Sequence, residues 1–242
     1  MPNPTCAILI IGDEILTGRT REGNAHHLAG ELVKAGFDLR QIRVISDDHP
    51  TIVAAVRELS AAHDHLFTSG GIGPTHDDIT ADAVAEAFGR KIGVRADART
   101  ILAAHYAARG VEFTEARLRM ARIPDGASLI DNPVSGAPGF SVENCHVMAG
   151  VPNIFQAMVA GLLPRLAGGQ PLLSRNWQMM VAEAAIADAL RALAEAHPDV
   201  SFGSYPFVTE GQYGTNLVAR ATDPAALDAA FAALQAAFPE GR

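Results

Sequence analysis

In the stretch Thr68-Ser69-Gly70-Gly71-Ile72-Gly73-Pro74-Thr75-His76-Asp77-Asp78-Ile79-Thr80, three glycines and two adjacent carboxylates directly follow an apolar run. Glycines in such a place let backbone N–H groups approach an anion closely, and the N-terminus of a following helix adds partial positive charge. Gly70, Gly71 and Gly73 could therefore hold a phosphate without Lys or Arg, with the Ser69 and Thr75 hydroxyls as further donors. The plainer alternative is a tight strand-to-helix turn in which Asp77 or Asp78 caps the helix. The dinucleotide fingerprint is not met, because His76 stands where a third glycine would be and the loop follows the third strand rather than the first. No Gly-Lys-Ser/Thr is present, which excludes a P-loop.

A second group of acids, Gly12-Asp13-Glu14-Ile15-Leu16, ends the first apolar run, at the sheet edge where open α/β folds bind ligands. If the first and third strands are neighbours, Asp13 and Glu14 face Asp77 and Asp78 across a crevice. Carboxylates gathered there need a reason to coexist. A hard divalent cation such as Mg²⁺ supplies one, since it binds through a few carboxylates plus substrate phosphates. Solvated acids and helix caps are the competing explanation.

Other candidates are weaker. His63-x-His65 falls on a helix-to-strand junction, where ordinary surface histidines are the simpler reading. Cys145 and His146 are adjacent on an expected strand, so they point to opposite faces and cannot form a dyad. Gly211-Gln212-Tyr213-Gly214 spells the GxxG of RNA-binding KH domains, but it lies between two expected strands, beside Glu210 and away from any Lys; a hairpin turn fits better.

These residues must be positioned by a regular scaffold. Over the first two thirds, apolar runs alternate with amphipathic stretches, as in strand–helix–strand units around a parallel sheet. Strands are expected over 6–11, 39–44, 65–69 and 145–148. Helices are expected over 24–35, capped by Asn24, over 50–60, capped by Asp47 or Asp48, and over 79–88, 99–109 and 153–166. Residues 122–140, rich in Pro, Gly and Asn, read as irregular structure with short edge strands. Near Ala167-Gly168-Gly169-Gln170-Pro171 the composition turns to that of a linker, which suggests two domains, 1–170 and 171–242. The second reads as strand 177–182, helix 183–196, strand 200–206, a turn over 210–214, strand 216–221 and helix 224–238, a ferredoxin-like or KH-like α+β order.

Composition bounds the partners. The 242 residues are 48% hydrophobic and 19% charged, which excludes disorder as the main theme. With 19 Lys and Arg against 27 Asp and Glu the net charge is -8, and neither region is basic, so no nucleic-acid partner is expected. Two cysteines without a CxxC pair exclude a cysteine zinc module, argue against a disulfide framework and fit a reducing cytoplasm. The N-terminal apolar run lacks a basic flank and stops at Gly12, far short of a membrane span, so neither signal peptide nor membrane anchoring is expected.

Four blocks in order carry a resemblance. Gly-Asp-Glu-Ile-Leu with Gly18 and Asn24, the Ser69–Thr80 block, Asn132-Pro133-Val134-Ser135-Gly136-Ala137-Pro138-Gly139-Phe140, and Gly150-Val151-Pro152 together resemble the competence/damage-inducible protein A family. The resemblance implies a three-layer, mostly parallel open sheet of the molybdopterin-binding type, followed by a small KH-like domain and lacking that family's amidase domain. It places Asp78 beside a substrate phosphate, Asp13 and Asp78 on the divalent ion, and Asp77 as the alternative ligand or water-orienting base. Asn132 and the Ala137-Pro138-Gly139 segment would approach the nucleotide or pterin. His76-Asp77 differs from the Pro-Arg of the molybdopterin adenylyltransferase branch, and Ser135-Gly136 and Met148-Ala149-Gly150 differ from the Gly-Thr and Leu-Pro-Gly of many relatives. The implied function is metal-dependent hydrolysis of a nucleotide pyrophosphate such as ADP-ribose or FAD, by a homodimer. A non-catalytic binding protein for molybdopterin or a nucleotide is the alternative.

Overall fold

The computed structural model describes residues 2–209 and 211–241, which fall into two compact units, 1–169 and 170–242. The first is built around β1 (Thr5–Ile11), where every residue from Cys6 to Ile11 is buried. A strand covered on both faces reads as a continuous apolar run, and its side chains still alternate. Cys6, Ile8 and Ile10 enter one core, and Ala7, Leu9 and Ile11 the other. After a single turn, α1 (Asp13–Leu16), the chain forms α2 (Asn24–Lys34), β2 (Asp38–Ile45), α3 (His49–Ala62), β3 (His65–Ser69) and α4 (Thr80–Ala87). A smaller antiparallel pair, β4 (Ile92–Val94) and β5 (Arg122–Pro124), brackets α5 (Ala96–Ala108) and α6 (Glu115–Leu118). Then come β6 (Ser128–Ile130), β7 (Gly139–Val142), β8 (Cys145–Met148) and α7 (Pro152–Leu162).

The main sheet has the order β2-β1-β3-β8-β7-β6. Its first four strands are parallel, and β7 runs antiparallel to both neighbours. Helices α3, α4 and α5 cover one face through Ile52, Val56, Leu59, Val84 and Leu102, and α2 and α7 cover the other through Leu28, Leu32, Phe155 and Met158. The three-layer, mostly parallel architecture expected from the sequence is therefore present.

The cap of α2 differs from expectation, and that of α3 falls on one of the two residues expected. Asn24 is the first residue of α2 rather than its cap; the Glu22 carboxylate accepts from the N–H groups of Asn24 and Ala25 instead, which frees the Asn24 amide for other work. Asp48, not Asp47, caps α3 by accepting from the Thr51 N–H at 3.0 Å. Neither Asp77 nor Asp78 caps α4, whose N-cap position is Ile79.

A polar chain runs through the core. His65 Nδ1 lies 3.0 Å from His146 Nε2, and His146 Nδ1 lies 2.8 Å from Ser141 Oγ, with the Phe67 ring 5.0 Å from that of His146. The second histidine of His63-x-His65 is thus bonded to a third histidine, and His63 to the Leu59 carbonyl. Cys145 faces the opposite core, and both cysteines are free and buried.

The second unit contains β9 (Leu173–Met179), α8 (Ala187–Ala196), β10 (Ser201–Thr209), β11 (Gln212–Ala221) and α9 (Pro224–Ala237), with antiparallel sheet order β10-β11-β9. Strand β9 begins earlier than the sequence suggests, and the β10–β11 hairpin is tighter, with Thr209 already paired to Gln212. Glu210, part of the expected turn, lies outside the described residues. Gly214 sits opposite Phe207, where a Cβ would stand 2.3 Å from the ring. The GxxG pattern therefore reflects an aromatic side chain lying over a strand glycine, not an RNA-binding loop.

Candidate functional site

At the carboxyl ends of β1, β3 and β8 the chain opens a cleft of about 430 Å³, the position where parallel α/β sheets take ligands. The approach of β1 to the turn after β3 dictates its first glycine. Gly70 has φ 112°, and a Cβ there would lie 2.1 Å from the Ile11 carbonyl oxygen. Gly71, at φ 69°, would collide with the Thr80 hydroxyl at 2.0 Å, because the Thr80 N–H closes the loop onto the Gly71 carbonyl at 3.0 Å. The Gly70 N–H is used by the Met148 carbonyl at 3.1 Å. Among the described residues, the N–H groups of Gly71, Ile72 and Gly73 have no protein acceptor, and all three residues line the cleft.

Four carboxylates surround this loop: Glu14, Asp47, Asp77 and Asp78 line the cleft, and among the described residues no Lys, Arg or His does. Asp78 is held in place by Thr75, whose N–H and hydroxyl donate to its carboxylate at 2.8 and 2.6 Å. Asp47 was not singled out in the sequence beyond a capping role. It lies just beyond the end of β2, beside β1, where its carboxylate accepts from the Asp13 N–H at 2.9 Å. Burial raises the Asp47 carboxyl above its ordinary range; the Asp13 N–H opposes this, while the charges of Asp13, Glu14 and Asp77 add to it.

Several expected site residues are elsewhere. Asp13 is exposed and reaches the cluster through its main chain, so Asp47 and Glu14, not the Asp13 carboxylate, form that wall. Ser69 is buried, its hydroxyl taken by the Asn24 amide at 2.9 Å; that amide also donates to the Gly150 carbonyl at 2.7 Å, tying α2, β3 and the turn before α7 together. Thr75 serves Asp78 rather than the cleft. Pro138 and Gly139 do not line the cleft; a Cβ at Gly139 would meet the Val147 carbonyl. Asn132 and Ala137 do line it, but the Asn132 side chain is fully engaged. It donates to Ser135 Oγ and the Ala137 carbonyl and accepts from the N–H groups of Val134 and Ser135, so it shapes the loop.

Among the described residues, no three His, Cys, Asp or Glu side chains converge to hold a metal ion by themselves. The donor set is nonetheless all carboxylate oxygen, which suits a hard divalent ion completing its shell with water and ligand phosphates.

The sheet order, the glycine loop and the cleft define a molybdopterin-binding type of domain. Residues 7–168 match the family described as probable molybdopterin binding domain, and residues 171–242 match the one described as FAD synthase, middle domain. A protein of Pyrobaculum calidifontis is 35% identical over 212 residues, covering 84% of this chain and 81% of that one. A CinA-like protein of Desulfosudis oleivorans is 34% identical, covering 81% of this chain and 50% of that one. The crystal structure of the protein CinA, of unknown function, from Thermoplasma acidophilum superposes with a TM-score of 0.62 at 31% identity over 66% of this chain and 98% of that chain. The chain belongs to the CinA family, and spans about half the length of the CinA-like bacterial relatives it matches. No helix among the described residues is long and apolar enough to cross a membrane.

Proposed function

We propose that the first unit hydrolyses a nucleotide pyrophosphate bond, in ADP-ribose, FAD or a related dinucleotide, with a divalent ion bound alongside the substrate. One observation carries the reading: a loop with three unpartnered N–H groups faces a cleft that holds four carboxylates and no basic side chain. The N–H groups bind phosphoryl oxygens and stabilise the charge that develops on them. A water oxygen bonds to one phosphorus, the bridging P–O bond breaks, and the water's proton passes to the Asp77 or Asp78 carboxylate. Thr75 keeps Asp78 aimed. When bound, the ion offsets the negative charge shared by the phosphates and by Asp47, Asp77, Asp78 and Glu14. The family description over residues 171–242 concerns a protein that makes FAD, which supports a dinucleotide ligand. Resemblance to the family adds self-association as a homodimer; a solution mass of one chain overturns that part.

The test is AMP release from ADP-ribose, FAD and NAD with each divalent ion and with chelator, comparing the wild type with Asp78→Asn. Metal-dependent release that falls roughly a hundredfold in the variant is expected. Absence of turnover with every substrate and ion, alongside calorimetric binding of a nucleotide or pterin, overturns hydrolysis in favour of a binding protein.

A further inference from the structure

The cleft lining has no cation, yet one stands directly behind it. A small crevice beside the glycine loop shares Ile72, Gly73, Asp78 and Met120 with the cleft, and its other walls include Asp82, Arg119 and Arg122. Neither acid in this crevice bonds Arg119. Asp82 is engaged by both terminal nitrogens of Arg122, and Asp78 accepts two hydrogen bonds from Thr75. Arg117, two residues earlier, donates to the Glu112 carbonyl and lies 4.6 Å from the centre of the Tyr106 ring. Of the three, only the Arg119 side chain makes no hydrogen bond or ion pair with any described residue, and its Nε is buried without an acceptor. Buried donors are almost always satisfied, and a guanidinium nitrogen buried with no acceptor in the chain calls for one from outside it. The planar guanidinium fork matches phosphate oxygens two at a time.

We propose that Arg119 is the phosphate-binding cation of this site, engaging one phosphate of a nucleoside diphosphate compound while the Gly71–Gly73 N–H groups hold the other. The proposal rests on the phosphate reading of the glycine loop. It assigns a binding role to a residue outside the four sequence blocks and outside the cleft lining.

The experiment measures binding of ADP and of inorganic pyrophosphate, each with Mg²⁺, by calorimetry to the wild type, Arg119→Gln and Arg119→Lys, together with thermal unfolding of the ligand-free proteins. Arg119→Gln is expected to weaken both ligands at least tenfold, and Arg119→Lys to recover part of that loss, because it keeps the charge but not the fork. The melting temperature of Arg119→Gln is expected to stay level or rise, since the side chain has no partner to lose. Wild-type binding that Arg119→Gln leaves within twofold overturns the role of Arg119 alone. A drop of many degrees in the melting of Arg119→Gln also overturns it, showing that the side chain holds structure. A wild type that binds neither ligand overturns the phosphate reading itself and this role with it.

Discussion

At the residue scale, function depends on side chains that hold other groups still. Asn24 joins three elements at the cleft edge through two donated bonds. Asn24→Ala is expected to cost about 2 kcal/mol of stability, read as a lower midpoint in urea unfolding; an unchanged midpoint shows that the tie is energetically idle. The cysteines are at the other extreme. Burial pushes the Cys6 thiol up to about 12, with help from the charges of Asp38 and Asp64, and burial raises that of Cys145 further. Both are expected to resist alkylation in the native protein and to react on denaturation, which mass spectrometry resolves. Asp78, Asp77 and the glycines were legible in the sequence because they are consecutive. Asp47 was hidden by its neighbour: Asp47-Asp48 reads as a helix cap, and only the pairing of β2 with β1 brings one of the two to the cleft. Arg119 lies in a stretch with no motif at all, and its lack of partners is visible only in three dimensions.

At the scale of elements, the glycine loop combines two different requirements. Gly70 is demanded by the Ile11 carbonyl, and its φ is one that other residues adopt only with strain, so Gly70→Ala should lose at least about 2 kcal/mol in denaturant unfolding. At Gly73 the nearest atom to an added Cβ is the Asp78 carboxylate at 2.6 Å, the mobile end of a side chain. Gly73→Ala should therefore fold with near-native stability while weakening nucleotide binding through a displaced Asp78. If the two variants lose stability equally, this division of labour is wrong. The central strands were readable because burial on both faces makes them uniformly apolar. The cap of α2 was not, although its first residue was, because a nearby Glu competed for the capping role with an Asn of ordinary capping type. The GxxG of the second unit was read as a hairpin turn, and a hairpin is present, but its second glycine lies inside β11, opposite Phe207.

At the scale of the whole molecule, the buried histidine chain couples the main sheet to acidity. Burial, and secondarily the charge of His65, pushes His146 down to about 3, from an ordinary value of 6.5. Below pH 6.5 the unfolded chain takes up a proton that the native protein refuses, so stability falls as pH drops toward 3, by up to about 1.4 kcal/mol per pH unit for this group. His65 is lowered by burial as well and acts in the same direction. Urea unfolding across this range should show a shallower pH dependence for His146→Gln; an equal slope assigns the acid lability to other groups. The same chain also has a sense of direction. With His146 neutral, either His65 donates to His146 and His146 to Ser141, or every proton points the other way. The two arrangements satisfy the same three groups and differ in which nitrogen of each ring carries hydrogen and in whether the Ser141 hydroxyl accepts or donates. Nitrogen-15 shifts of His146 would thus report, from the middle of the sheet, which tautomer the protein has selected.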